Sequence, residues 1–340
     1  MPGWNLKEGK YISSCVAEDE YWACFNYVLS DACRKTNSYK FGLIKSLCDQ
    51  IYTLEEDDRG YFLSYQKLFS KFAENYWNLV SRYHLKQMLY NGTSELSRVE
   101  RIIIDITSTY DMQGFIPFQS LSERDLLRVV SSVTADCKRY VIGALYNDFE
   151  GKLYSFDLKS DGLYLHRDAY GFICKFKNEI ERLNYYSWAK FLEKANSDEQ
   201  VVRLLEKLEL STPRRNDLSI YRKILFEEFN EERCFYCGKA FNGDIHVDHF
   251  IPWSFVKSDN LWNFVLTCPK CNIKKKDSLV GKHLLSRLED RNLHMLSECP
   301  RIEDCQFVID EFHGYYDDLL SKMWEYAKRS GIKVREDLFH

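Results

Sequence analysis

Apolar residues recur at three- and four-residue spacing through most of the first 140 positions, which predicts helices packed by one face. Tyr21, Trp22, Phe25, Val28 and Leu29 form one such set, and Phe41, Ile44, Leu47, Cys48 and Ile51 a second. From Phe62 to Leu89 the spacing repeats with Leu68, Phe72, Trp77, Val80 and Leu85. Ser120 followed by Glu123 is a capping-box pair, predicting a helix that runs through Cys137. Near Tyr140 the period shortens. Tyr140–Tyr146, Lys152–Asp157 and Leu163–His166 predict short strands, divided by turn formers at 147–151 and at Ser160-Asp161-Gly162. Helical spacing returns from Phe172 to Ala195. It continues at Val201, Leu204, Leu205 and Leu208, behind a second capping pair, Ser197 and Gln200.

Ser211-Thr-Pro-Arg-Arg-Asn216 is the sharpest interruption in the pattern, with proline, charge and turn formers together. It predicts an α-rich N-terminal domain over 1–210, carrying a small β-hairpin region, and a second domain over 217–340. Within the second, Asp217–Asn230, Gly281–Leu296 and Val308–Ser330 read as helices. The expected class is therefore α+β and predominantly helical.

The chain has 340 residues, 45% of them hydrophobic and 15% aromatic, enough to bury a sizeable core and to exclude a disordered or collagen-like chain. Forty-seven Lys and Arg against 51 Asp and Glu give a formal charge of −4. That excludes a globally basic nucleic-acid binder and leaves a locally basic one open. The N-terminus lacks an apolar core of signal-peptide length, and no apolar run approaches a membrane span, so a cytoplasmic protein with no membrane partner is expected.

The 12 cysteines then change the picture. Eight stand singly (Cys15, Cys24, Cys33, Cys48, Cys137, Cys174, Cys299 and Cys305) and read as small buried hydrophobes. Cys234/Cys237 and Cys268/Cys271 instead form two close pairs, separated by 30 residues. A two-residue gap lets one tight turn present two sulfurs to one ion, so the four predict a closed structural Zn²⁺ site. Gly238 suits the turn, and Lys270, Lys274, Lys275 and Lys276 compensate the thiolate charge. From Cys268 to Arg291 seven Lys and Arg face three acids, a local +4. The first 210 residues hold no phosphate loop, nucleophile elbow or paired-carboxylate signature. Tyr83-His84 and His166-Arg167 there read as satisfied surface or core positions.

Between the cysteine pairs, Ile245, Val247 and Phe250 suggest a strand ending near Pro252, Phe264–Leu266 a second strand, and a helix starts near Cys271. Asp248-His249, Asn263 and Asn272 lie in order along this strand–loop–strand–helix unit. Over about 233–279 it resembles the HNH nucleases of the ββα-metal superfamily. The resemblance implies a metal-dependent endonuclease cleaving phosphodiester bonds, with DNA the favoured substrate, RNA left open, and 5′-phosphate and 3′-hydroxyl products. It implies His249 as general base, for which imidazole's ordinary pKa near 6.5 is suited. It further implies Asn263 as the residue orienting that histidine, and Asp248 and Asn272 as ligands of one Mg²⁺ or Mn²⁺ ion. Asn272 stands where many relatives have histidine. Lys270, Lys274, Lys275 and Lys276 would hold a nucleic-acid backbone over the ion. By analogy of fold the unit points to restriction or anti-phage defence, with the N-terminal domain serving specificity, sensing, an activating partner or homo-oligomerisation.

Each residue alone has an ordinary structural reading: a surface Asp-His pair, a turn-capping asparagine, an asparagine after a zinc knuckle. The rival is accordingly a non-cleaving, zinc-dependent nucleic-acid-binding or scaffold protein. A regular strand would also point Asp248 and His249 to opposite faces, so a shared phosphate requires the pleat to break, with Ile251-Pro252 the plausible cause. His246 shares the parity of Asp248 and has no motif position.

Overall fold

The computed structural model describes all residues except 1–4, 13–14, 91, 93–95, 111–114, 212–217, 257, 313–314, 316–317, 337 and 340. The chain divides into two compact units, Met1–Arg214 and Arg215–His340. The interruption at 211–216 falls almost wholly outside the described residues.

The first unit is built from β1 (Glu8–Gly9), α1 (Glu18–Leu29), α2 (Tyr39–Gln50), β2 (Glu55–Asp57), β3 (Gly60–Ser64), α3 (Tyr65–Trp77), α4 (Arg98–Thr107), α5 (Glu123–Asp148), β4 (Tyr154–Asp157), β5 (Gly162–Leu165), α6 (Arg167–Ala195) and α7 (Leu204–Ser211). The strands form one antiparallel sheet in the order β1-β4-β5-β3-β2. Helix α2 packs on α3 and α6, and α5 packs on α3 and α4.

Several elements depart from the pattern-based expectation. Tyr140–Tyr146 is not a strand but the last two turns of α5. Val129, Val133, Cys137, Val141 and Leu145 recur every four residues and are all buried, so helix packing overrides the local preference of β-branched and aromatic residues. The cap of α5 is Ser122, whose hydroxyl accepts from the Asp125 N–H at 3.2 Å; Ser120 ends a 3₁₀ turn. The predicted helical stretch from Phe62 begins as a strand, because Asp57-Asp58-Arg59-Gly60 makes a hairpin. There the Asp57 carboxylate accepts from the Arg59 N–H at 2.7 Å and Gly60 takes φ +126°. Helix α7 starts at Leu204, after turns, although Ser197 and Gln200 do make their capping contact.

At the centre of this unit, α2, α3 and α6 enclose charge. Lys45 lies between Asp49 and Glu181, Glu181 also takes Lys177 at 3.2 Å, and Asn75 donates to Asp49 at 3.1 Å. All five side chains are buried, and each charge there has an opposite one, the condition under which ionised groups persist in an interior.

The second unit contains α8 (Ser219–Lys223), β6 (His246–His249), α9 (Trp253–Val256), β7 (Phe264–Thr267), α10 (Pro269–Lys275), β8 (Leu279–Val280), α11 (His283–Glu298), α12 (Cys305–Glu311), α13 (Leu319–Arg329) and β9 (Val334–Arg335). β6 and β7 form an antiparallel hairpin with Val247 opposite Leu266 and His249 opposite Phe264. β8 and β9 pair in parallel, returning the end of the chain to the segment after α10. The single helix expected over Val308–Ser330 is two, divided around Asp318, whose φ is +69°. Of the eight single cysteines, six are buried. Cys15 is exposed and Cys305 half-buried, with its sulfur 2.8 Å from that of Cys299.

Candidate metal centre and active site

The four paired cysteines converge although they come from two separate turns. In the first, Cys234 donates its N–H to the Lys239 carbonyl at 2.9 Å and accepts from the Gly238 N–H at 2.8 Å. Gly238 sits at φ +68°, in the left-handed region that glycine enters without a Cβ clash. In the second, Cys268 caps α10 with Pro269 in the first helical position, and its carbonyl accepts the N–H groups of Cys271 and Asn272 at 3.0 and 3.1 Å. The Phe235 N–H donates to the Leu266 carbonyl at 2.8 Å, fixing the first turn to β7. All four sulfurs lie within 4.8 Å of one another. Tetrahedral zinc–thiolate bonds of ~2.3 Å place sulfurs about 3.8 Å apart, so this soft donor set fits Zn²⁺ with little adjustment. Burial pushes the Cys234 and Cys271 thiols up. At Cys237 burial acts the same way, but the Lys239 N–H and the neighbouring thiols outweigh it and bring that thiol below its ordinary value.

Next to this cluster, β6, β7 and α10 set out the polar residues. Asp248 is buried. Its Oδ2 accepts the Tyr236 hydroxyl at 2.7 Å and pairs with the Lys275 ammonium at 3.1 Å, which leaves Oδ1 for a cation. Burial, then the Asp248 charge, raise the Tyr236 hydroxyl well above its ordinary pKa, so it stays a donor. Asn272, on α10, donates its amide to Nδ1 of His246 at 3.0 Å, leaving its own carbonyl oxygen for a ligand. Oδ1 of Asp248 and the Asn272 carbonyl are both hard oxygens, suited to Mg²⁺ or Mn²⁺ more than to zinc.

His249 is 3% exposed. Its Nε2 meets Oδ1 of Asp259 at 2.9 Å, and its ring packs 4.5 Å from that of Phe264, directly across the hairpin. In a neutral ring the carboxylate at Nε2 selects the tautomer with its proton there and the lone pair on Nδ1. Residues 234–278 match the HNH endonuclease family model. Comparison with curated proteins and with solved structures returns no match.

Within the HNH region the residues expected from the sequence fall into distinct contact sets. The hairpin ladder is unbroken from His246 to His249, so the pleat does not break as anticipated: Asp248 meets Tyr236 and Lys275, while the His249 ring meets Asp259 and Phe264. Lys275 joins the two sets, because its ammonium also donates to the His249 carbonyl at 2.8 Å. Asn263 lies in the 3₁₀ turn before β7 and not on the strand. Its amide brackets Ile251, accepting from that N–H at 2.8 Å and donating to that carbonyl at 3.0 Å, so it braces the backbone two residues beyond His249. His246, without an expected role, is the Asn272 partner.

The basic cluster also changes. Lys275 is 1% exposed and engaged internally, so it is not a surface contact for a phosphate backbone. Lys274 donates to the Leu338 carbonyl at 3.1 Å, and Lys270 and Lys276 are exposed. Arg287 and Arg291, counted in the local +4, hold α11 to the first cysteine turn and to β7 through the Phe235 and Phe264 carbonyls, both at 2.7 Å.

Sequence reasoning missed two acids. Asp259 lies in the loop between the strands, with no motif position. Glu311, on α12, accepts the Leu261 N–H at 2.8 Å and so fixes the same loop from outside the matched segment. Burial, with Asp259 and Asp310 adding repulsion, raises its carboxyl to about 7 against the opposing Leu261 and Tyr221 hydrogen bonds. In the first unit, His166 caps α6 and Arg167 pairs with Glu56 at 3.0 Å, which are structural roles. No helix among the described residues is long and apolar enough to cross a membrane.

Proposed function

We propose that this protein is a metal-dependent endonuclease that hydrolyses phosphodiester bonds in DNA, with the four cysteines holding a structural zinc. The observation carrying this reading is the HNH family match over the segment in which Cys234, Cys237, Cys268 and Cys271 converge beside Asp248, His249 and Asn272.

His249, the last residue of β6, is the general base; the strand ends there, so the turn that follows, and not a break within the pleat, is what lets it share a phosphate with Asp248. Asp259 holds its Nε2–H, aims Nδ1 at the attacking water and stabilises the imidazolium formed when the proton is taken. Asp248 and Asn272 would hold one Mg²⁺ or Mn²⁺ through their side-chain oxygens. Bound there, the ion supplies charge stabilisation to the phosphate and the departing 3′ oxygen. Lys275 and Tyr236 fix the Asp248 carboxylate, and Asn263 fixes the loop that follows His249.

The test is cleavage of supercoiled plasmid by purified protein with Mg²⁺. Nicking that stops with EDTA and with His249→Ala is the expected result. Equal cleavage by wild type and variant, or none by either across Mg²⁺ and Mn²⁺, overturns the proposal and leaves a zinc-dependent binding or scaffold protein.

A further inference from the structure

The described residues of the first unit carry adjoining concavities, three of them lined almost entirely by one sign; a fourth, of about 340 Å³, meets the second at Tyr186 and Lys190 and sets Arg203 against Glu193 and Glu206. The largest, of about 690 Å³, has Arg34, Lys35, Lys40, Arg98 and Arg101 in its wall and no acid. Arg34 and Lys35 are shared with a second cavity of about 490 Å³, which adds Lys190 and Lys194 together with the single acid, Asp31. Tyr140 is shared with a third of about 430 Å³, which adds Lys7, Arg139 and Lys159. Among the described residues, ten cations and one carboxylate therefore line a track of three cavities, linked through Arg34 and Lys35 and through Tyr140, in a chain whose overall charge is −4.

Neighbouring groups reduce this excess without removing it. Lys194 pairs with Asp31 at 2.9 Å, Lys40 with Asp148 at 2.5 Å, and Arg98 lies 3.8 Å from Asp136. Against those three acids the described lining residues keep a cationic excess. Lys35 is turned inward, donating to the Ser30 and Cys33 carbonyls at 2.6 and 3.0 Å, but its charge stays at the wall. Arg34, at the junction of two cavities, and Arg98 and Arg101, on the first turn of α4, are exposed. Aromatic faces punctuate the track. Tyr140 carries the Arg139 guanidinium 4.6 Å over its ring, and Tyr186 is 56% exposed in the second cavity.

We infer that this track is a second nucleic-acid-binding surface, belonging to the first unit and separate from the HNH region. A mononucleotide concentrates its charge at one end and would leave most of the track unneutralised. Only a polyanion repeats its charge along a line, and release of its condensed counterions favours binding at each cation it meets. Ring faces beside a basic groove suit sugar and base contacts that carry little sequence information. The inference takes its ligand class from the proposed function but uses none of the residues of the HNH site.

The test uses full-length His249→Ala protein, which separates binding from cleavage, and a short fluorescent duplex titrated between about 50 and 200 mM salt. Arg34→Gln/Arg98→Gln/Arg101→Gln in that background should weaken Kd about tenfold or more. It should also lower the magnitude of the log Kd–log salt slope by about 2–3. Arg59→Gln/Arg124→Gln/Arg128→Gln removes as many exposed cations outside the track lining and should change Kd by less than about threefold, near the noise of non-specific electrostatics. Circular dichroism and melting curves matching the parent exclude misfolding. Equal Kd for the track variant and its parent, or equal weakening by both triples, overturns the inference. If wild type fails to cut plasmid while the track variant alone loses affinity, the surface stands and the catalytic proposal falls.

Discussion

Asp259→Asn isolates what a buried carboxylate does for the histidine beside it. Asparagine matches aspartate in size, and its carbonyl can still accept from Nε2, so the change removes charge and keeps shape. The side chains of His249 and Asp259 are 4% and 6% exposed, so water screens their interaction little. A cation and an anion about 4 Å apart gain about 4 kcal/mol at an effective dielectric of ~20. The gain applies once imidazole has taken the proton, so it stabilises the transition state and the intermediate more than the resting enzyme. Allowing for the hydrogen bond that remains, the loss is about 2–4 kcal/mol, or about 30- to 900-fold in kcat, with KM nearly unchanged. The assay is the initial rate of plasmid nicking over a range of DNA concentrations at saturating Mg²⁺, with zinc content checked by mass spectrometry. Asp259→Asn within about threefold of wild type in kcat, while His249→Ala is inactive, would refute the role given to Asp259.

Asn263→Ala removes both bonds to Ile251 at a fully buried position and should cost about 2–4 kcal/mol in urea denaturation of the zinc-loaded protein; an unchanged midpoint would mean that the loop is held elsewhere. Glu311 binds its proton more tightly folded, near 7, than unfolded, near the ordinary 4.5, so its contribution is full below about pH 4.5 and declines as pH rises to about 7. Glu311→Gln should flatten that decline, gaining up to about 3 kcal/mol over wild type between pH 5 and 8 in denaturant titrations; parallel pH dependence in the two proteins contradicts this. Cys234→Ser should take zinc from one equivalent to none and collapse the near-ultraviolet circular dichroism of the second unit, because structural zinc supplies folding energy directly. Retention of both would dissociate Cys234 from the metal.

The sequence was most legible where chemistry demands fixed spacing. The cysteine pairs, which do converge, could be read from their spacing because a metal knuckle permits few other arrangements, and Asp248-His249 and Asn272 could be singled out from their order along the strand–loop–strand–helix unit. Asp259 and Glu311 could not be, since a carboxylate reaching a histidine or a backbone N–H across a loop is set by tertiary packing and leaves no period. The same distinction separates α1 and α2, recovered from apolar spacing, from Tyr140–Tyr146, where a run suited to a strand is held in α5 by a buried four-residue stride. Lys275 is the sharpest case: a lysine run usually marks a solvated face, yet its middle member is inside.

That lysine has a consequence for how a cation is received. Asp248, the one anionic residue of the proposed pair, already shares its charge with a buried ammonium 3.1 Å away. The Asp248–Lys275 pair thus carries no net charge, and a divalent ion arriving alone would meet an immovable like charge alongside. A phosphodiester brings the missing negative charge with it. If Asp248 and Asn272 hold the ion as proposed, metal affinity should be low without substrate and rise with it, so that ion and nucleic acid would each promote capture of the other.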